Sequence, residues 1–153
     1  MDVHAFAEAG AVRRLVLGGV QIPFERGLLG HSDADVLTHA VTDALLGAAG
    51  LEDIGHYFPD TDENFKDADS LKLLCEARVI VGESWKVANV DAVVICERPK
   101  IRDHREAMRQ NLADALSVEP SRVSVRGTTT EHLGFTGRAE GIAAQAVCLL
   151  ERG

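Results

Sequence analysis

Apolar residues follow strand and helix periodicities along most of this chain, and these periodicities predict its elements. Residues 15–22 carry short apolar runs on either side of Gly18-Gly19, which predicts a tight hairpin. From Val36 to Gly50, apolar residues recur with the period of a helix, and Ser32 is a suitable N-cap for it. This helix is the most clearly marked element of the chain.

The rest of the pattern completes a fold that combines strands and helices. It predicts a helix over 70–81 that Ser70 caps, a strand over 87–96, a helix over 103–116, and strands over 123–126 and 142–150. The order β-β-α-α-β-α-β-β, without internal repeats, is typical of one α+β domain over residues 1–153. We expect an α/β two-layer sandwich, in which a mixed four-stranded sheet carries helices on one face, plus the short N-terminal hairpin.

Residues 51–69 break every periodicity and are rich in Asp and Glu. A loop of this length inside a small domain is more often functional or mobile than idle. We therefore expect this segment to contribute to a binding site or to move.

Composition and charge restrict the class of protein. A chain of 153 residues with 46% hydrophobic content can bury a core and is not disordered. Asp and Glu outnumber Lys and Arg by 24 to 16, and no basic stripe is present, so nucleic-acid binding is disfavoured. A phosphorylated ligand would have to be met by metal ions, backbone N–H groups and a few placed cations.

The cysteines and the absence of targeting signals predict a location. Cys75, Cys96 and Cys148 lie in apolar surroundings without metal-type spacing, which predicts buried thiols in a reducing compartment. No apolar run is long enough to span a bilayer, and the start of the chain lacks a secretion signal. We expect a cytoplasmic protein that neither enters a membrane nor is exported.

Asp2, His4 and His39 form the first candidate site. Residues two apart in an extended segment project to the same side, so Asp2 and His4 can present a carboxylate and an imidazole together. His39, on the predicted helix, would complete a set that suits zinc with one open position. The alternative is that the Asp-x-His pair is ordinary polar surface. On the same helix, Asp35 or Asp43 could orient the imidazole of His39, or both could be solvent-facing or capping acids.

A second candidate site lies between two predicted strands, in the polar segment 127–141. Three consecutive threonines, Thr128 to Thr130, and Glu131 supply hydroxyl donors and a hard oxygen ligand, which suits a diphosphate that carries Mg²⁺. A polar turn without a ligand is the alternative on composition alone. The other histidines, His56, His104 and His132, have no ligand-like spacing and are expected to be polar surface.

A series of motifs, in order across essentially the whole chain, closely resembles the 2-C-methyl-D-erythritol 2,4-cyclodiphosphate synthase family. The motifs are Asp2-Val-His4, Gly30-His-Ser-Asp-Ala-Asp35, His39-Ala-Val-Thr-Asp-Ala-Leu-Leu46, Asp53-Ile-Gly55, Phe58-Pro-Asp-Thr-Asp62, Asp67-Ala-Asp-Ser70, Pro99-Lys100, Thr128-Thr-Thr-Glu131 and Gly134-Phe-Thr-Gly-Arg138. So many linked motifs are highly specific.

The resemblance implies a homotrimeric enzyme of the non-mevalonate isoprenoid pathway, with its active sites between subunits. Such an enzyme converts 4-diphosphocytidyl-2-C-methyl-D-erythritol 2-phosphate to the cyclic diphosphate and releases CMP. The family's zinc ligands correspond to Asp2, His4 and His39, its Mg²⁺ or Mn²⁺ ligand to Glu131, and its transition-state stabilisers to His31 and Thr129. Another divalent transition metal could replace zinc.

The resemblance also implies substrate contacts along the chain, including a flexible erythritol loop at 58–62, a cytidine pocket formed by 96–102 with Thr128, and a position near the trimer axis for an isoprenoid phosphate. The implied contact residues are Asp2, Val3, His4, His31, Ser32, Asp53, Ile54, Gly55, Phe58, Pro59, Asp60, Thr61, Asp62, Cys96, Glu97, Arg98, Pro99, Lys100, Ile101, Arg102, Thr128, Thr129, Thr130, Glu131, Phe135 and Arg138.

Two other functions compete with this interpretation. One is a catalytically weak trimer that binds isoprenoid phosphates at its axis through Phe135 and Arg138. The other is a metal-dependent nucleotide diphosphate hydrolase. Release of CMP with a cyclic product separates the synthase from both, because the first rival would not turn over and the second would give a linear product.

Overall fold

The computed structural model describes all residues, 1–153, and contains a four-stranded sheet, a separate hairpin and a layer of helices. The strands are β1 Asp2–Ala5, β2 Leu15–Leu17, β3 Val20–Ile22, β4 Trp85–Ile95, β5 Val123–Thr128 and β6 Gly141–Arg152. The helices are α1 Val36–Ala48, α2 Ile54–Tyr57, α3 Ser70–Val81, α4 Arg105–Leu116 and α5 Gly134–Gly137. Short 3-10 turns occupy Glu63–Phe65, Arg102–His104 and Pro120–Arg122.

The main sheet is mixed, with strand order β1-β6-β4-β5. β4 and β5 are parallel and are connected through α4, whereas β6 is antiparallel to both β1 and β4. β2 and β3 form the predicted hairpin around Gly18 and Gly19, both of which have positive φ. The mixed four-stranded sheet and the N-terminal hairpin are therefore confirmed.

The helices cover one face of the sheet, and the core lies between the two layers. Alternate residues of β4, such as Val90, Ala92 and Val94, are fully buried beneath the helices. The opposite face has no covering layer, and Val147 and Leu149 of β6 remain 64% and 59% exposed there. The sheet thus has one packed face and one open face that carries apolar side chains.

The helix N-caps differ from the prediction. Asp35, not Ser32, caps α1 by accepting a hydrogen bond from the Thr38 N–H, and Asp69, not Ser70, caps α3. Asp35 takes this position because its buried carboxylate also accepts hydrogen bonds from the backbone N–H groups of Gly18 and Gly19, at 2.9 and 2.7 Å. The start of α1 is thereby fastened to the β2–β3 hairpin.

Residues 51–69, which have no periodicity, nevertheless contain α2 and one 3-10 turn. Asp53 caps α2 by accepting from the His56 N–H, and Asp62 caps the turn by accepting from the Asn64 N–H. The acids that make this segment polar therefore also order it locally. No helix in the structure is both long and apolar enough to cross a membrane.

Candidate functional site

Side-chain atoms of Asp2, His4 and His39 converge at one point, as predicted. Asp2 Oδ2 lies 3.0 Å from His4 Nε2 and 3.1 Å from His39 Nδ1, and the two nitrogens are 3.3 Å apart. Ligands bound at about 2.0–2.1 Å in a tetrahedral zinc site lie about 3.3 Å from one another. The three atoms therefore fit three corners of such a site, and the donor set leaves the fourth open.

The sheet register and α1 bring these side chains together. In the β1–β6 pair, Asp2 lies opposite Ala144 and His4 opposite Ile142, so both side chains project to the helix-covered face. α1 packs on β6 and β1, and His39 lies on its first turn. Two consecutive positions of one strand face and one helix position thus supply the cluster.

Hydrogen bonding prepares His4 to bind a cation. Its Nδ1 lies 2.6 Å from the backbone carbonyl oxygen of Leu29. A carbonyl can only accept, so Nδ1 carries the hydrogen in the neutral ring. The lone pair of neutral His4 is then on Nε2, which faces Asp2 and His39.

The charges in the cluster also suit a cation. Burial raises the pKa of Asp2, but hydrogen bonding and charge interaction with His39 and His4 outweigh burial and hold this pKa well below its usual range. Burial lowers the pKa of His4, but its hydrogen bond and ion pair with Asp2 outweigh burial and raise this pKa. Asp2 is therefore ionised at neutral pH, and in the metal-free chain a proton on His4 competes with any metal ion.

Neither acid that was considered as a partner of His39 contacts its ring. Asp35 accepts from the Thr38 N–H and hydroxyl and from the hairpin, and Asp43 accepts from the Ile54 N–H at 2.8 Å. Asp35 is a capping acid, as the alternative interpretation expects, whereas Asp43 on α1 accepts from the first residue of α2.

A cavity of about 400 Å³ opens beside the cluster of Asp2, His4 and His39. Eight of the implied substrate contacts line it: Asp2, His4, His31, Ser32, Ile54, Gly55, Phe58 and Asp60. His31 Nε2 lies 3.0 Å from the backbone oxygen of Asp62, so this ring donates to the 58–62 segment. Val3 does not line the cavity, because it projects to the open face of the sheet, where it is 39% exposed.

A second cavity, of about 370 Å³, lies at the end of β4 and β5. Its lining includes Cys96, Pro99, Lys100, Ile101, Arg102 and Thr128 from the implied cytidine pocket, together with Thr129, the implied transition-state stabiliser. Glu97 and Arg98 are not part of the lining. Burial raises the pKa of the Cys96 thiol to about 11, so the thiol is neutral in this cavity at neutral pH.

Arg105, at the start of α4, also lines this second cavity and was missed by the sequence analysis. With Lys100 and Arg102 it forms a cationic lining in an otherwise acidic chain. Its Nε is buried without a hydrogen-bond partner. Arg105 could have been found from its spacing to Arg102, because residues three apart lie on one side of a helical turn.

The threonine-rich loop after β5 is held in shape by Glu97. The Glu97 carboxylate accepts hydrogen bonds from the backbone N–H groups of Thr130 and His132, both at 3.2 Å. In this anchored segment, Glu131 has a φ of 52° and His132 a φ of 65°, so both residues lie in the left-handed region. Thr129 Oγ1 donates to Glu131 Oε1 at 3.0 Å, so these two predicted site residues are in direct contact.

The other predicted residues near this loop have different surroundings. The Thr130 hydroxyl donates to the Leu133 carbonyl within the loop, at 2.7 Å. Phe135 is 39% exposed on α5, and Arg138 pairs with Glu140 at 3.1 Å. Thr130 therefore stabilises the loop, whereas Phe135 and Arg138 remain at the surface.

The two cavities share no lining residue within one chain. One contains the Asp2, His4 and His39 side chains and residues of the 54–60 segment, and the other contains residues of the 96–102 segment with Thr128 and Thr129. A single chain thus separates the two halves that the resemblance assigns to one substrate.

Comparison with known proteins identifies the family. The model of the YgbB family matches residues 1–151. A 2-C-methyl-D-erythritol 2,4-cyclodiphosphate synthase from Rubrobacter xylanophilus is 80% identical over 152 residues, which cover 99% of this chain and 92% of that protein.

Two solved structures share the fold. The bifunctional IspDF from Campylobacter jejuni superposes with a TM-score of 0.93 at 47% identity, over 99% of this chain and 41% of that longer chain. The CDP complex of IspF from Plasmodium falciparum gives 0.84 at 34% identity, over 99% and 92% of the two chains. With a match over nearly its whole length, the chain belongs to the YgbB family of 2-C-methyl-D-erythritol 2,4-cyclodiphosphate synthases.

Proposed function

We propose that this protein, as a single domain over residues 1–153, converts 4-diphosphocytidyl-2-C-methyl-D-erythritol 2-phosphate to 2-C-methyl-D-erythritol 2,4-cyclodiphosphate and CMP. It would act in the non-mevalonate isoprenoid precursor pathway as a cyclising phosphorus–oxygen lyase. The observation that carries the proposal is the convergence of Asp2, His4 and His39 beside a cavity, in a chain 80% identical to a synthase of that name.

The residues present fit two divalent cations. Asp2, His4 and His39 would hold zinc or another transition metal, because one carboxylate and two imidazoles with an open position suit it. Glu131, an exposed carboxylate beside the Thr129 hydroxyl, would contribute to a Mg²⁺ or Mn²⁺ site together with substrate phosphates. When bound, the two cations neutralise charge on the phosphate oxygens.

The reaction needs positioning more than a base. The substrate's 2-phosphate is already ionised near neutral pH and attacks the β-phosphorus, from which CMP departs. His31 would orient the phosphate end of the substrate from the cavity wall, and the Thr129 hydroxyl would donate to a phosphoryl oxygen as charge builds up. No nucleophilic side chain is required.

The two cavities would divide the substrate between them. The cavity with 54–60 would take the erythritol and phosphate end, and the cavity with Lys100, Arg102 and Thr128 would take the cytidine end. The Plasmodium falciparum relative was solved as a CDP complex, which supports a cytidine diphosphate ligand for this chain. Both rims must face each other for catalysis.

A homotrimer would bring the two halves together across a subunit interface. The separation of the cavities within one chain supports a site shared by neighbours. The open sheet face, with Val3, Val147 and Leu149 exposed, supplies apolar area for assembly. An isoprenoid phosphate could then bind at the axis through Phe135 and Arg138, provided that Arg138 exchanges its pairing with Glu140 for the phosphate.

The test is a product assay on the purified protein with the cytidine substrate and both metals. Phosphorus-31 NMR should show the cyclic diphosphate and CMP in equal amounts. The His39→Ala chain should retain its fold, because the apolar face of α1 still packs, but should lose bound zinc and turnover. A linear diphosphate product would identify a hydrolase instead, and full zinc occupancy of His39→Ala would refute the assigned ligand set.

A further inference from the structure

Nε2 of His39, the ring nitrogen that faces away from Asp2 and His4, has its own buried partner. His39 Nε2 lies 2.8 Å from Ser70 Oγ and 3.1 Å from Ser32 Oγ. Ser70, the first residue of α3, is completely buried, whereas Ser32 lines the cavity beside the cluster. The closer partner is thus a hydroxyl that the substrate cavity does not reach.

Ser70 is fixed in turn by Asp33. Ser70 Oγ donates to Asp33 Oδ1 at 2.5 Å, and the Ser70 N–H donates to Asp33 Oδ2 at 3.1 Å. Asp33 also accepts from the Asp35 N–H at 3.1 Å. One carboxylate therefore joins the segment before α1, which carries His39, to the start of α3, which carries Ser70.

The number of available hydrogens sets the direction of this chain of hydrogen bonds. A carboxylate only accepts, so the single hydroxyl hydrogen of Ser70 is used for Asp33. In the contact between Ser70 and His39, the hydrogen must therefore come from His39 Nε2. Neutral His39 then has its lone pair on Nδ1, the atom that lies 3.1 Å from Asp2 Oδ2.

We propose that Asp33 and Ser70 are positioning residues of the metal centre. They hold His39 in the tautomer and ring orientation that present Nδ1 to the cation, and the Asp33 charge makes this nitrogen a better donor through Ser70. The proposal rests on the zinc site of the proposed function and extends it to two residues beyond the ligands. Loss of a partner of this kind typically weakens metal affinity by about 10- to 100-fold.

Ser32 cannot replace this arrangement fully. Its hydroxyl oxygen accepts from the Ala34 N–H at 3.2 Å and lies farther from His39 Nε2 than Ser70 does. It also lies in the cavity wall, where a substrate phosphate bound as in the proposed function would compete for its hydroxyl. The Ser70 contact acts on the metal before any substrate arrives, so its effect belongs to metal binding in the absence of substrate.

The experiment measures zinc affinity without substrate, by competition with a chromophoric chelator. Ser70→Ala should bind zinc about 10- to 100-fold more weakly than the unchanged chain, and Asp33→Asn should shift the affinity in the same direction. Thr42→Val is the matched control, because it removes a buried hydroxyl of α1 that donates to the Thr38 carbonyl and does not touch His39. Its zinc affinity should not change.

Equal affinity of Ser70→Ala and the unchanged chain would overturn the inference, as would an equal loss in Thr42→Val. If the unchanged chain itself binds no zinc, the metal site of the proposed function fails instead. Nitrogen-15 NMR of the zinc-loaded unchanged chain gives a test that needs no variant. It should find the proton of His39 on Nε2, and a proton on Nδ1 would refute the inference even if Ser70→Ala does not fold.

Discussion

Replacing Asp35 tests whether one buried carboxylate holds the hairpin to the helix that carries His39. Asp35 is wholly buried and accepts four hydrogen bonds, from the Gly18, Gly19 and Thr38 N–H groups and from the Thr38 hydroxyl, at 2.7–3.0 Å. Asp35→Ala would leave these donors without a partner inside the core. We expect it to lower the free energy of unfolding substantially.

The size of the effect follows from two opposing contributions. A hydrogen bond to a charged group contributes about 1.5–3 kcal/mol, and Asp35 accepts four. Burial of the carboxylate, which raises the pKa of Asp35, opposes this gain. We therefore expect a loss of about 3–5 kcal/mol, because each buried donor left without a partner costs about 1–3 kcal/mol and the relief of burying the carboxylate offsets part of that sum.

Urea unfolding at fixed protein concentration measures this loss. Asp43→Ala is the control, because Asp43 accepts a single backbone hydrogen bond, from Ile54, and its removal should lower stability by only about 1 kcal/mol. Asp35→Asn should be nearly as damaging as Asp35→Ala, since its NH₂ group would face N–H donors. A loss below about 1 kcal/mol for Asp35→Ala would refute this account.

Three further predictions concern catalysis, assembly and pH. Thr129→Ala should lower kcat about ten- to a thousandfold with little change in the Kd for CDP, because a donor used in the transition state acts on rate more than on ground-state binding. Steady-state kinetics and calorimetry of CDP binding measure the two quantities, and an unchanged kcat would exclude Thr129 from the mechanism. The His39→Ala chain and a chain that lacks residues 99–100 should each be inactive alone. In random one-to-one mixed trimers of the two, about one half times one half, or a quarter, of the shared sites should combine two intact halves and be active. Verified mixed trimers without activity would place the site within one subunit. In the metal-free chain, the Asp2–His4 pair should stabilise the fold at pH 6 and lose this effect as pH rises through the raised pKa of His4, or falls through the lowered pKa of Asp2. Urea unfolding against pH should show this as a change in the difference in unfolding free energy between the unchanged chain and His4→Gln. A difference that does not vary with pH would refute the stabilising effect of the pair.

Elements with a strong local pattern could be predicted from the sequence. The β2–β3 hairpin and α1 are defined by short-range signals, a Gly-Gly turn and an uninterrupted helical repeat, and both are present. The helices and strands that were predicted from residue 70 onward also match within a few residues, whereas the short helix α5 in the polar segment 127–141 was not predicted. The acidic segment 51–69 was less accessible, because its short helical turns depend on single caps rather than on periodicity.

Contacts between distant segments could not be predicted in this way. Ser32 resembles an N-cap, but Asp35 becomes the cap because it also accepts from a hairpin that lies 16 to 17 residues away. Ser70 looks like another cap, yet its hydroxyl lies against His39, 31 residues earlier. Cys75, expected to be buried, is exposed on α3, whereas Cys96 is buried as predicted and Cys148 is half-buried.

Two of the candidate metal ligands could be predicted from the sequence for a different reason. The two-residue spacing of Asp2 and His4 needs only an extended strand, and the structure provides one. His39 could be proposed from its donor chemistry on a predicted helix, but no local pattern places that helix against the strand. The division of the substrate contacts into two halves was implied only by the family resemblance.

The two hydrogen bonds by which Glu97 holds the threonine loop affect how a cation would bind there. Two successive non-glycine residues in the left-handed region are held there by a carboxylate on the neighbouring strand end, so the loop adopts this shape during folding. An arriving ion therefore does not have to order the backbone around Glu131, and little conformational entropy is lost on binding. A loop that is already ordered binds its ion more tightly than a flexible loop with the same ligand would, because its ordering is completed during folding.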